Sequence, residues 1–519
     1  MANIVICAGI TFATAHMRPV GAFQLANVLR RAGYTVQIID CWPWIANMGL
    51  DVVKRVLGHF VNEDTLWVGF SSTWLTKIKQ PKSSIYAISS IYGDLDKLIE
   101  NTYIFEPEEL NDLKSYLQAR SPNCKFVLGG GRAPLGRTGR VPQFIDCFIE
   151  GYADTTVLEW TRYCQGKNPF LPVTKNADGS ISLTHDHKAS SFDYNNHQFT
   201  WHDNDMVGQG EALPMEIARG CIFSCAFCAY PLNGRKKLDY LKDPIIIRRQ
   251  LEENYERFGT THYWFLDDTF NDSIDKLKIL NQSVFSKLPF RINFSAFMRL
   301  DLINAHPESI DLLSEMGCGG ISFGIESLNY ESVKAIGKGI SRDKIFNTLT
   351  KIKEKMPNAI IDSQFILGLP YETRETAENW LKEIEHPDYP LHNIKIHTLT
   401  MNTVSGYENI WSSHFEKNPE KYGYTFPTEN KTYWVNNMNF SRKEAFTMIK
   451  MHQNFIETKN GQGGEGWLGY AGIRNMGVSE ETVNELYSMH RLHRIPRVNE
   501  IRRQFTAQYI QNLLKLDPQ

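Results

Sequence analysis

Between Pro214 and Met401 the chain spells out six short apolar runs, each separated from the next by a helix-length amphipathic segment. The runs are Pro214–Arg219, His262–Asp268, Arg291–Arg299, Gly319–Ser327, Ile360–Gly368 and Asn393–Met401. Runs this short and this apolar read as strands buried on both faces, and strands alternating with helices pair in parallel. One spacer, Pro244–Phe258, sets Leu251 and Tyr255 on a single face. Six such units are enough to curl a sheet into a partial parallel (β/α)6 barrel. The residues at each strand's carboxyl end then gather at one mouth.

A second alternation with a different cadence fills residues 1–165. Asn3–Ala8, Thr35–Asp40, Leu66–Ser71, the run from Lys125 and the run from Cys147 read as strands. Phe23, Leu25, Ala26, Val28 and Leu29 make a broad helical face that stops at Gly33. These strands end in small residues: Ser71 and Ser72, then Gly129, Gly130 and Gly131, and Gly151. That pattern predicts a doubly wound, Rossmann-like parallel sheet with a ligand at its carboxyl edge. Residues 166–211 are polar and read as a connector with a turn at Asn176–Gly179; 212–424 form the barrel. Residues 425–519 are mostly helical, with Arg442–Thr458 and Val498–Leu516 the clearest helices. The class is α/β.

Composition removes several functions. Lys and Arg number 56 against 58 Asp and Glu, so the excess of cations that drives binding to a polyanion is absent, and nucleic acid is not an expected partner. Aromatics at 12% supply real cores and exclude disorder as the dominant state. No apolar run approaches the about 20 residues of a membrane span. The opening residues read as a first strand, not as a signal peptide. Nine cysteines, odd in number and widely spread, fit a reducing cytoplasm in which clustered cysteines are ligands.

The sharpest chemistry is Arg219-Gly-Cys221-Ile-Phe-Ser-Cys225-Ala-Phe-Cys228, placed directly after the first barrel strand. Three thiolates at this spacing can hold three irons of a [4Fe-4S] cubane, which is otherwise held by four cysteines. The fourth iron is left open for a substrate. Zinc is the competing reading, but it takes four Cys or His ligands, and no second pair follows.

With these residues the chain resembles the radical S-adenosylmethionine (SAM) superfamily, whose signature places an aromatic, here Phe227, before the last cysteine. Tyr263–Phe270, Phe297–Asp301, Ser322–Leu328 with Val333–Gly339, and Phe365–Thr373 resemble later strands of the cobalamin-dependent and methylthio-transferring branch. The resemblance implies SAM as a cofactor. Asp267 and Asp268 suit its ammonium, Arg299 can fork onto its carboxylate, Glu326 suits the ribose hydroxyls or the amino group, and Gly368 permits close backbone approach. No catalytic residue is named by the sequence.

Pro19–Asp40, Val127–Ala133 and Asp146–Asp154 resemble the cobalamin-binding domain fused to one class of these enzymes. Many such domains carry Asp-x-His-x-x-Gly to supply a lower axial histidine. Here His16 stands in Thr14-Ala-His-Met-Arg-Pro19, without the Asp or the Gly, so the expected cobalamin has no histidine beneath its cobalt. Trp74 is a candidate to face the corrin instead. The resemblance implies a radical enzyme that reductively cleaves SAM to a 5′-deoxyadenosyl radical and methylates an unactivated carbon of a small-molecule or peptide substrate. Its electron would come from an external flavodoxin- or ferredoxin-type donor. The alternatives are a methylthiotransferase, with a second cluster for which Cys7 and Cys41 stand near strand ends, a non-methylating radical SAM enzyme, and a non-catalytic iron–sulfur scaffold or electron carrier. The C-terminal run of Arg491, Arg494, Arg497, Arg502 and Arg503 reads as a solvated helix face.

Overall fold

The computed structural model describes residues 2–12, 15–71, 107–130, 144–167, 173–176, 179–184, 192–230, 232, 234–401, 412–427, 433–463, 466–489 and 491–517. Ser72, Trp74 and Gly131 lie outside them.

The first sheet has seven strands: β1 (Ile4–Cys7), β4 (Val36–Ile39), β5 (Trp67–Ser71), β6 (Lys125–Gly129), β7 (Cys147–Glu150), β8 (Val173–Lys175) and β9 (Ile181–Thr184), in the order β4-β1-β5-β6-β7-β9-β8. All neighbours are parallel except the edge pair β8–β9. The polar connector thus contributes two strands to this sheet. A small antiparallel hairpin, β2 (Ile10–Phe12) and β3 (Ala15–Met17), follows β1.

The second sheet is the expected open barrel. Its strands β10 (Leu213–Glu216), β11 (His262–Leu266), β12 (Asn293–Met298), β13 (Cys318–Glu326), β14 (Ile360–Leu367) and β15 (Asn393–Thr398) pair in chain order, all parallel. The helices between them start and stop where their chemistry says. Asp243 caps Ile245 N ahead of Pro244 at the first turn, and Gly259 ends that helix at φ +63°. Ser273 and Thr373 cap the next helix and the one after β14.

Alternate side chains of the first sheet serve two cores. Ile4, Ile6, Val36 and Ile38 join the same buried cluster as the barrel residues Leu213, Phe265 and Phe294. Val5, Cys7, Val68 and Phe70 face a separate cluster that is completed by Tyr509, Ile510 and Leu513 of the final helix, Arg491–Leu513. Buried ion pairs tie the first sheet's side to the barrel's entrance: Arg18 grips Glu211 at 2.6 and 2.9 Å, and Arg30 grips Asp205 at 2.8 and 3.0 Å. Among the described residues no helix is long and apolar enough to cross a membrane.

Candidate active site

The loop after β10 is held in shape by its own backbone. Cys221 N donates to Leu232 O at 3.1 Å, Arg235 N to Cys221 O at 2.9 Å, and Gly234 N to Phe223 O at 3.0 Å. Gly220 opens it at φ +122°, where a Cβ would lie 2.8 Å from Leu232 O, so only glycine fits. From behind, Ala226 N donates to Ile336 O and Ala226 O accepts from Phe415 N. Cys221, Cys225 and Cys228 then line one pocket of about 280 Å³ together with Phe227, Asp268, Arg299 and Glu326.

The three thiols share this pocket without forming a set within 4.8 Å of one another. Three thiolates are one short of the four ligands of a structural zinc and suit three corners of a cube. The donor set therefore fits an iron–sulfur cluster. Burial pushes the Cys221 thiol up to about 11, against a hydrogen bond with Thr269 Oγ1 at 3.3 Å that pulls it down.

Not every expected residue reaches the pocket. Asp267 and Asp268 are neighbours at a strand end and point opposite ways. Asp268 lines the pocket, and its carboxyl is raised to about 6 by burial first and then by Asp267 and Glu216. Asp267 turns into the core and pairs with Lys276 at 2.6 Å, both fully buried. Arg299 lines the pocket but its fork is already placed on Asp301, at 3.0 and 2.6 Å. Its Nη1 faces Cys225 Sγ at 3.4 Å, and its plane lies 4.0 Å from the Phe223 ring centre. Glu326 sits at φ +70°, where the β13–β14 register slips between Gly324 and Glu326, and this irregularity accompanies its place in the pocket wall. Gly368 lies under Trp434: a Cβ there would be 1.8 Å from the indole. Its approach is to a side chain of the chain itself.

Lys338 escaped sequence reading. Its ammonium meets Glu326 Oε1 at 2.7 Å and Gly324 O at 2.6 Å in the same pocket. The available signal was a lone carboxylate in an apolar strand, which demands a cation nearby. Thr269, Ser322 and Gln364 also line the wall and carried no signal.

In the first sheet, Ser71 and Gly129 pair with each other at the ends of β5 and β6, and Gly130 follows at φ +105°. Among the described residues a Cβ on Gly129 would meet Ile149 O alone, at 3.9 Å. His16 is elsewhere. Its Nε2 faces Asp40 Oδ2 at 3.3 Å and its ring lies 5.0 Å from that of Phe505, with 3% of the residue exposed. Next to the cysteine loop, Arg219 bridges the two sheets: it holds Asp154 at 2.7 Å and Glu216 at 2.8 Å, flanked by the rings of Tyr194 and Tyr152.

Comparison with known proteins places this geometry. Residues 215–384 match the family model described as Radical SAM superfamily. A segment of 167 residues is 30% identical to an uncharacterized methyltransferase of Pyrococcus horikoshii, covering 32% of this chain and 35% of that protein. A ribosomal protein uS12 methylthiotransferase, RimO of Dictyoglomus thermophilum, is 26% identical over 322 residues, 58% of this chain and 66% of the relative. The chain thus spans between about a third and two thirds of the length of these relatives. Among solved structures, the radical SAM methyltransferase TsrM of Kitasatospora setae, with cobalamin and a [4Fe-4S] cluster bound, aligns with a TM-score of 0.55 at 14% identity, covering 82% of this chain and 80% of TsrM. The cobalamin-dependent radical enzyme OxsB aligns at 0.57 and 14% identity, covering 95% of this chain and 71% of OxsB. Residues 215–384 are therefore a radical SAM domain, set within a two-sheet fold shared with cobalamin-dependent radical SAM enzymes.

Proposed function

We propose that the chain is a cobalamin-dependent radical SAM enzyme that methylates a carbon of a small-molecule or peptide substrate. The observation that carries this reading is the convergence of Cys221, Cys225 and Cys228 on a pocket that also holds Asp268, Arg299 and the Glu326–Lys338 pair. When bound, the cluster supplies the electron that cleaves SAM, and cobalamin carries the methyl group. The chain does the rest. Asp268 offers a carboxylate to the SAM ammonium, Glu326 offers a hydrogen-bond acceptor whose position Lys338 fixes, and the Phe227 and Phe297 rings keep water from the pocket. Gly129 and Gly130 leave room for a corrin tail, and the carboxyl edge of the first sheet presents it. A one-electron donor of flavodoxin or ferredoxin type is required from outside. The boundaries near 165, 211 and 424 separate a cobalamin unit, a connector, a SAM unit and a helical region in this reading.

Anaerobically reconstituted protein, reduced in the presence of SAM bearing a trideuterated methyl group and added cobalamin, should release 5′-deoxyadenosine and methylate the cobalt. Absence of 5′-deoxyadenosine from cluster-loaded protein would overturn the enzyme reading.

The likeness to methylthiotransferases favours a second reading, which places a further cluster on three more thiols. Cys7 ends β1 and Cys41 follows β4 at the same edge, whereas the next thiol, Cys124, precedes β6 at the opposite edge of the sheet, and all three are buried. Cys124 does not join the other two, so the methyl-transfer reading stands ahead.

A further inference from the structure

A second group of metal-ligating side chains lies away from the cysteine loop, where the first sheet meets the final helix. His16 from β3, and Asp40 and Cys41 just after β4, bring an imidazole nitrogen, a carboxylate oxygen and a thiol sulfur within 4.8 Å of one another. All three residues are at most 3% exposed. Three donors that close surround a point no more than about 2.8 Å from each, and small side-chain rotations bring that to the ~2.0–2.3 Å of zinc–nitrogen, –oxygen and –sulfur bonds.

Charge makes the same case independently. Arg18 is committed to Glu211 through two hydrogen bonds and comes only to 3.8 Å of Asp40. Asp40, 1% exposed, accepts from Cys41 N at 2.7 Å and faces His16 Nε2 at 3.3 Å, and its cation, Arg18, is shared with Glu211. A buried carboxylate whose cation is shared with a second carboxylate gains from a further positive charge. His16 Nδ1 is buried and has no hydrogen-bond partner. A divalent ion that took the Cys41 thiolate, the Asp40 carboxylate and a neutral His16 would close the balance at zero. The soft sulfur with a nitrogen and one oxygen selects zinc over magnesium or calcium. Tyr509, whose Oη accepts from Asp40 N at 3.0 Å, brings a further oxygen from the final helix.

We propose that His16, Asp40 and Cys41 form a zinc site that fastens the β2–β3 hairpin to the end of β4, separate from the iron–sulfur loop. The test is metal analysis of the full chain expressed with added zinc and purified anaerobically. About one zinc per chain is expected beyond the cluster iron. Cys41→Ser and His16→Gln should each lower zinc at least tenfold while iron, bound at the other loop, stays within a fifth of the parent. Cobalt(II) added to metal-stripped parent should give a thiolate charge-transfer band that Cys41→Ser lacks, a readout that survives if either variant folds poorly. Less than a tenth of an equivalent of zinc in the parent, or zinc retained in both variants, would overturn the site.

Discussion

At the scale of single residues, position in the pleat decides what a side chain can do. Asp267 and Asp268 are chemically alike, yet one holds Lys276 in the core and the other faces the pocket. Strand alternation could have separated them in the sequence, since neighbours at a strand end face opposite ways. The cysteines were legible because their spacing is itself the geometry. Lys338 was not, because a lysine between glycines after a short helix reads as surface, and only the fold returns it to Glu326. Replacing any one of Cys221, Cys225 or Cys228 by Ala should lower iron from about four per chain to under one, measured by colorimetric iron and sulfide analysis after anaerobic reconstitution. Gly368→Ala should cost about 3 kcal/mol, by driving a methyl into Trp434 at a backbone angle that disfavours any side chain. Urea unfolding measures that loss, and a stable variant with weakened SAM binding would instead show that a ligand approaches this glycine.

Elements were easier to read than their ends. All six barrel strands fell within three residues of the expected apolar runs, because a buried parallel strand has little freedom in composition. The pairs Val173–Lys175 and Ile181–Thr184 hid inside polar sequence, since β8 lies at a sheet edge where a polar strand is tolerated. The foot of β11 carries a pH-sensitive contact. His262 lies against Arg474 Nη1 at 3.0 Å, and burial first, then that guanidinium, lowers its imidazole to about 4. The folded protein keeps His262 neutral while the unfolded chain takes up a proton below about 6.5. Its contribution is therefore complete above pH 6.5 and fades as pH falls toward 4. Denaturant titrations at pH 7.5 and 4.5 should show His262→Gln losing roughly 2 kcal/mol less stability than the parent between those two conditions.

For the whole molecule, the joint between the sheets matters as much as either sheet. Arg219 stands two residues before Cys221 and grips Asp154, which follows β7. One guanidinium thus spans from the carboxyl edge of the first sheet to the loop of thiols. Asp154→Ala leaves that buried cation with Glu216 alone and should destabilise the protein by about 3 kcal/mol. Differential scanning calorimetry should then resolve two transitions where the parent has one, because the sheets lose a shared constraint. The sequence suggested both sheets but not this joint, since nothing in Asp146–Asp154 or in the cysteine loop says that they touch.

The final helix has a consequence for the order in which the molecule can be completed. Tyr509 reaches Asp40 across 469 positions of sequence, and the Leu516 carbonyl meets His59. Ile510 and Leu513 fill the outer face of the first sheet. The first sheet therefore waits for residues made 469 positions later, and until they emerge it presents Val5, Val68 and Phe70 to water. An apolar sheet face left open for that long during synthesis calls for a chaperone, and the first sheet can settle only after the Arg491–Leu513 helix has been made.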